Sequence, residues 1–110
     1  MSATGERQTY NGWSNYETWL VNLWMDQEGS YWQDEAQRVY AEAVSERFFT
    51  KPERATLTLS KMLKDYVEEQ APELQGCYAD LLNAALSEVN WHEIAEHMIE
   101  TEISDLKAAA

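Results

Sequence analysis

Tyr10–Met25 reads YNGWSNYETWLVNLWM and holds three of the chain's five Trp and two of its six Tyr. Asn15 is a helix N-cap, its side-chain oxygen placed to accept from the free N–H groups of a first turn. From there Tyr16, Trp19, Leu20, Leu23 and Trp24 recur at i, i+3, i+4, i+7 and i+8, the spacing of an apolar stripe on a helix. Val21 and Met25 widen it, leaving Thr18, Asn22 and Asp26 as a narrow polar strip. A helix apolar around most of its circumference is one that other elements surround. The expectation is therefore an all-α fold, a single compact domain of about five short helices around an aromatic-rich N-terminal helix.

The remaining chain supports that class. Residues 1–9 read as a flexible tail and 10–107 as the helical domain. Asn11-Gly12 is a turn dipeptide ahead of helix one, about 16–28. Gly29 closes that helix, and Ser30 with Gln33 forms a capping-box pattern for helix two, about 31–49, with Trp32, Ala36, Val39, Tyr40, Ala43, Val44 and Phe48 on one side. Pro52 suits the first turn of helix three, about 53–69, which presents Leu59, Met62, Leu63, Tyr66 and Val67. Helix four, about 73–89, shows Leu74, Tyr78, Leu81, Leu82, Ala85, Leu86 and Val89, and Gly76 weakens its start. Asn90 with Glu93 starts helix five, about 91–106, which turns Trp91, Ile94, Ala95, Met98 and Ile99 inward. No stretch alternates with the period of a strand.

The 110 residues carry 20 acids and 8 bases, a net charge of −12. Residues 1–64 hold nine acids and seven bases, and residues 65–110 hold eleven acids and one base. Nucleic-acid binding draws its affinity largely from neutralised phosphates and needs a basic footprint; the second half of this chain has the reverse. No apolar run is long enough for a transmembrane helix. The first residues lack the apolar core of a secretory signal, and Cys77 is the sole cysteine. A cytoplasmic setting is expected.

Catalytic and metal motifs fail on geometry. His92 and His97 stand at i and i+5, about 140° apart on a helix, too far round to share an ion. Cys77 lies at the edge of an apolar face among acids, a structural rather than nucleophilic setting. No glycine-rich phosphate loop is present. The expectation is a non-enzyme without metal or cofactor. The aromatic set of helix one is expected to be core, with Trp13 a staple closing the loop over the helix.

The acids carry the functional expectation. Glu93, Glu96 and Glu100 project within an arc of about 60° on helix five. With Glu68, Glu69, Glu73 and Asp80 they would form one acidic face imitating a nucleic-acid backbone, to which a basic protein is drawn by long-range attraction.

The run Asn11-Gly12-Trp13-Ser14-Asn15-Tyr16-Glu17-Thr18-Trp19, followed by Val21, Leu23-Trp24 and Asp26, resembles the signature of an uncharacterised family of small acidic proteins. That family has an N-G-W-x-N-Y-E-T-W start and is encoded largely by phages, plasmids and other mobile elements. Ala79–Leu86 into Asn90–Glu96 is similar to its closing segment. The resemblance attaches no catalytic role to any residue. It implies a mobile-element setting, in which small acidic proteins often disable restriction or CRISPR-type defence by occupying a nucleic-acid groove. The expected partner is then a basic nucleic-acid-binding protein of the host, with neither direct nucleic-acid binding nor membrane contact. The rival expectation is a protein-interaction adaptor or a homodimeric accessory protein of a mobile element. Trp13, Trp24 and Trp32 exposed in one patch would favour the rival; buried, beside a single acidic ridge, they would favour the mimic.

Overall fold

The computed structural model describes residues 9–110, so the expected tail falls, apart from Thr9, outside the described residues. Five helices follow in order: α1 (Tyr16–Asp26), α2 (Tyr31–Glu42), α3 (Lys51–Gln70), α4 (Gly76–Ser87) and α5 (Trp91–Ala109). Among the described residues the only β-type pairing is a bridge between Tyr10 and Trp13. The chain forms one all-α domain.

Its centre is α3 and α5, with α2 laid across both. Ala55, Leu59 and Leu63 of α3, four residues apart, are buried, as are Ile94, Ala95 and Ile99 of α5 and Trp32, Ala36 and Val39 of α2. Small residues at these contacts, Ala36, Ala55 and Ala95, let the helix axes approach closely. The α3 start is held by a capping box. Thr50 Oγ1 accepts from the Glu53 N–H at 3.3 Å, and the Thr50 N–H donates to Glu53 Oε1 at 2.8 Å. Pro52 occupies the first turn, where its missing N–H costs nothing.

Two expectations about helix ends are corrected. Helix two stops at Glu42, not near 49: Ala43 turns extended, and Lys51 Nζ donates to its carbonyl at 2.7 Å and lies over the Tyr40 ring at 4.7 Å. A cation at a helix C-terminus satisfies its free carbonyls and its dipole. Val44 and Phe48 consequently leave the helix and stand exposed, Phe48 by 79%. Ser30 precedes α2 without a side-chain cap, so no capping box forms there.

The largest correction concerns α1. Its buried residues are Thr18, Asn22 and Met25; Tyr16, Leu23 and Trp24 face outward, Trp24 by 59%. Two of the three residues of the expected polar strip, Thr18 and Asn22, meet the protein while Asp26 is exposed, and the aromatic stripe is exposed at Tyr16, Leu23 and Trp24 and half-buried at Trp19 and Leu20. α1 is peripheral to a domain organised by α3 and α5. α4 is peripheral too: none of its residues is buried, and Tyr78 and Leu81 are 71% and 61% exposed. Leu82 and Leu86 are half-buried. No described helix is long and apolar enough to cross a membrane.

Candidate functional site

Polar groups fasten α1 to the start of α5. Asn15 Oδ1 accepts from the Thr18 N–H at 2.8 Å, capping α1, while its Nδ2 donates to the Glu88 carbonyl at 2.7 Å. Thr18, fully buried, accepts from the Asn90 N–H on Oγ1 at 2.9 Å. Asn90 Oδ1 in turn accepts from the Glu93 N–H at 3.0 Å and caps α5. Glu93 Oε1 accepts from both the N–H and the Oγ of Ser14, at 3.1 and 2.6 Å. Ser14, Asn15, Thr18 and Asn90 thus do at this joint what apolar packing does elsewhere. The Asn22 Oδ1 is buried without a partner among the described residues, as is the Trp32 Nε1.

Ahead of this clamp, Asn11 and Gly12 adopt φ of 49° and 88°. Tyr10 and Trp13 exchange backbone hydrogen bonds of 2.8 Å in each direction across them. Positive φ at both central residues makes this a two-residue hairpin turn of the kind Asn-Gly favours. The turn sends Trp13 one way and Tyr10 the other. Trp13 packs edge-on against His97 of α5 with centroids 5.2 Å apart, rather than stapling its own helix. Tyr10 lies against Tyr16 and Trp19 at 5.0 and 4.8 Å, on the outward side of α1.

The expected acidic face divides. Glu93, Glu96 and Glu100 come together, lining with Asn11, Gly12, Trp13 and His97 a depression of ≈360 Å³. Glu96 and Glu100 are exposed there, whereas Glu93 is half-buried and committed to Ser14. Glu68 and Glu73 line a different depression of ≈580 Å³ between the end of α3 and α4, and Glu68 meets Lys64 at 3.7 Å. Glu69 and Asp80 are exposed and line neither. The seven acids do not line one depression. The spacing along α5 fixed the first group; Glu68 and Glu69 close α3, Glu73 lies between α3 and α4, Asp80 is on α4, and none of the four lines the depression of Glu93, Glu96 and Glu100.

Charge pairing is nevertheless uneven in the way the sequence implied. All five ion pairs among the described residues lie between Glu35 and Glu68. Arg38 is the densest node, its guanidinium held charged by a hydrogen bond to Glu35, by that carboxylate's field, and by Glu42. After residue 64 only Asp65 and Glu68 of eleven acids meet a Lys or Arg within the described residues. His92 is exposed, Cys77 is exposed rather than packed, and no described group of three or more His, Cys, Asp or Glu is arranged to hold a metal ion. The three Trp side chains also divide, with Trp32 buried, Trp13 half-buried and Trp24 exposed.

Sequence reasoning missed Ser14, Thr18 and the outward face of α1. The signal was present in the small polar residues of the Trp13–Thr18 run, which have hydrogen-bonding capacity and little else to contribute to a core. No curated protein and no solved structure matches the chain. A family model does match, over residues 6–109, from just ahead of the Asn-Gly turn to the end of α5, and the chain belongs to the Family of unknown function (DUF7249).

Proposed function

We propose that the protein is a non-catalytic acidic binding module whose partner is a basic, nucleic-acid-binding protein. Glu96 and Glu100, with Glu93 beside them, stand in for part of a phosphate backbone, and the module acts by occupying a groove of a host restriction or CRISPR-type complex. The observation that carries this reading is the absence of a described Lys or Arg partner at the nine acids from Glu69 onward, while every described ion pair lies between Glu35 and Glu68. Unneutralised charge of one sign steers a partner of the other sign and holds it with strong dependence on salt.

The test uses E96K/E100K, which leaves the Glu93–Ser14 tie intact, against E69K/D80K as a variant with the same charge change elsewhere. A captured host nucleic-acid-binding protein should release as salt rises and as duplex DNA is added. E96K/E100K should fail to capture it, and E69K/D80K should retain it. Capture that duplex DNA does not compete, and that both variants retain, would eliminate the mimic reading.

The adaptor reading is favoured by a different observation, the outward aromatic face of α1. It requires a partner held through apolar contact and insensitive to DNA.

A further inference from the structure

We infer that the outward face of α1 is a second docking surface, which takes an amphipathic basic segment of a partner protein and adjoins the acidic depression through the Tyr10–Trp13 turn. The inference deepens the proposed function by adding apolar anchors to an electrostatic site. Tyr16, Leu20, Leu23 and Trp24 fall within about 100° of one side of α1, and Tyr10 and Trp19 extend that side at its N-terminal end. Trp and Tyr are the side chains that most often dominate binding energy at protein interfaces.

The chemistry of the occupant follows from charge and area. Residues 8–37 contain five acids, Glu17, Asp26, Glu28, Asp34 and Glu35, and no Lys or Arg. Five of the seven cations that follow are occupied: Arg38, Arg54, Lys61 and Lys64 sit in ion pairs and Lys51 caps α2, while Arg47 lies over the Phe48 ring and Lys107 is in the last turn of α5. Tyr10, Tyr16, Leu23 and Trp24 are 38, 48, 38 and 59% exposed. At ~200 Å² per large side chain that leaves roughly 350–400 Å² of apolar surface uncovered. A standard interface covers about 800 Å² per partner, so the apolar centre supplies about half and the flanking surface, which on α1 carries the acids Glu17 and Asp26 and no base, the remainder. The fitting occupant has an apolar centre and a Lys/Arg rim, as a basic amphipathic helix does. A second copy of this chain would bring the same acidic rim against itself.

The probe is a synthetic helix of about 18 residues, long enough to span α1, with Leu at i, i+3, i+4, i+7 and Lys elsewhere. One control replaces Lys by Glu, and another keeps Lys but replaces Leu by Ser. Trp emission reports docking, because burial of Trp24 shifts it to shorter wavelength. The Leu/Lys helix should bind with such a shift and persist at high salt. W24S should weaken it by about tenfold or more, with Y16S on the same face as a second variant should W24S melt early.

The Ser/Lys control reports on the acidic depression alone: it should bind only at low salt, lose binding in E96K/E100K, and leave Trp24 emission unmoved. Failure of that arm overturns the mimic reading while leaving the α1 surface standing. Equal binding of the Leu/Glu helix, indifference of the Leu/Lys helix to both W24S and Y16S, or a concentration-dependent dimer that occludes Trp24 would overturn the α1 surface itself.

Discussion

α3 and α5 use their apolar residues in one way, and α1 and α4 in the opposite way. In α3 and α5 the apolar stripe is buried, with Leu59, Leu63 and Ile94 fully covered, and the charges are outside. In α1 and α4 the apolar residues are more numerous for the length, yet Trp24, Tyr16, Tyr78 and Leu81 are left to solvent. Hydrophobic content alone does not determine what is core. The helices that carry charge on one side are oriented by it, since charged groups are rarely buried unpaired. α1 and α4 carry few charges to orient them, and for α1 specific hydrogen bonds decide the position instead.

The sharpest way to break this comparison is truncation. Leu59→Ala, at a site with no exposure, should cost about 3–5 kcal/mol by transfer and cavity terms together. Trp19→Ala would cost as much if α1 were the centre. Trp19 is half-buried, stacked on Tyr16 at 5.8 Å and tilted against Tyr10 at 4.8 Å. It should therefore cost only about 1–2 kcal/mol. Urea melts of the two variants with unchanged denaturant slopes measure the contrast, and equal losses would return α1 to the core.

Next in size is Thr18→Val. The substitution keeps the shape, but the Asn90 N–H loses its acceptor in a covered position, which costs about 1–3 kcal/mol. Were α1 held by apolar packing, Val would be neutral or stabilising. Hydrogen exchange at the Asn90 amide separates the cases, because loss of the Thr18 acceptor should speed it while amides in the middle of α3 stay protected.

These two substitutions also mark how much was legible beforehand. The periodicity of α1 correctly grouped Tyr16, Leu20, Leu23 and Trp24 on one side. A period reports which residues share a side and is silent on which side meets the protein. That choice rests on Thr18 with Asn90 and on Ser14 with Glu93, partners 72 and 79 residues apart in the chain. For α5 the choice was plain, because Glu93, Glu96 and Glu100 oppose Ile94, Ala95 and Ile99. The start of α5 was legible for a similar reason, since an N-cap acts within three residues. The acidic site was half legible: Glu96 and Glu100 are set by one helix, whereas Glu68 and Glu69 close α3, Glu73 lies in the link after it and Asp80 is on α4, and no local pattern sets how those segments sit against α5.

The α3 cap gives a smaller effect with a pH signature. Thr50→Ala should cost about 1 kcal/mol. The Thr50 N–H, and then its hydroxyl contact, hold the Glu53 carboxyl below its ordinary value. A depressed carboxylate contributes stability that is present above its unfolded pKa and lost as pH falls through the folded one. The difference in melting temperature between the wild type and Glu53→Ala should hold at neutral pH and shrink below the ordinary glutamate range. A difference independent of pH would mean the box works without its charge.

The smallest expected effect is the most diagnostic for α4. Leu81→Ser removes a large apolar side chain from a helix, and in α3 or α5 the equivalent change would be severe. At 61% exposure it should alter stability by no more than about 0.5 kcal/mol, most of that from helix propensity. A loss of several times that amount would require Leu81 to be covered, and no described element is placed to cover it. The cover would then be another molecule, and the melting temperature would rise with protein concentration, as binding to the native state alone demands. A concentration-independent melt with near-wild-type stability would establish that the exposed side of α4 contributes nothing to the fold, which is the condition for its sequence to be set by something other than folding.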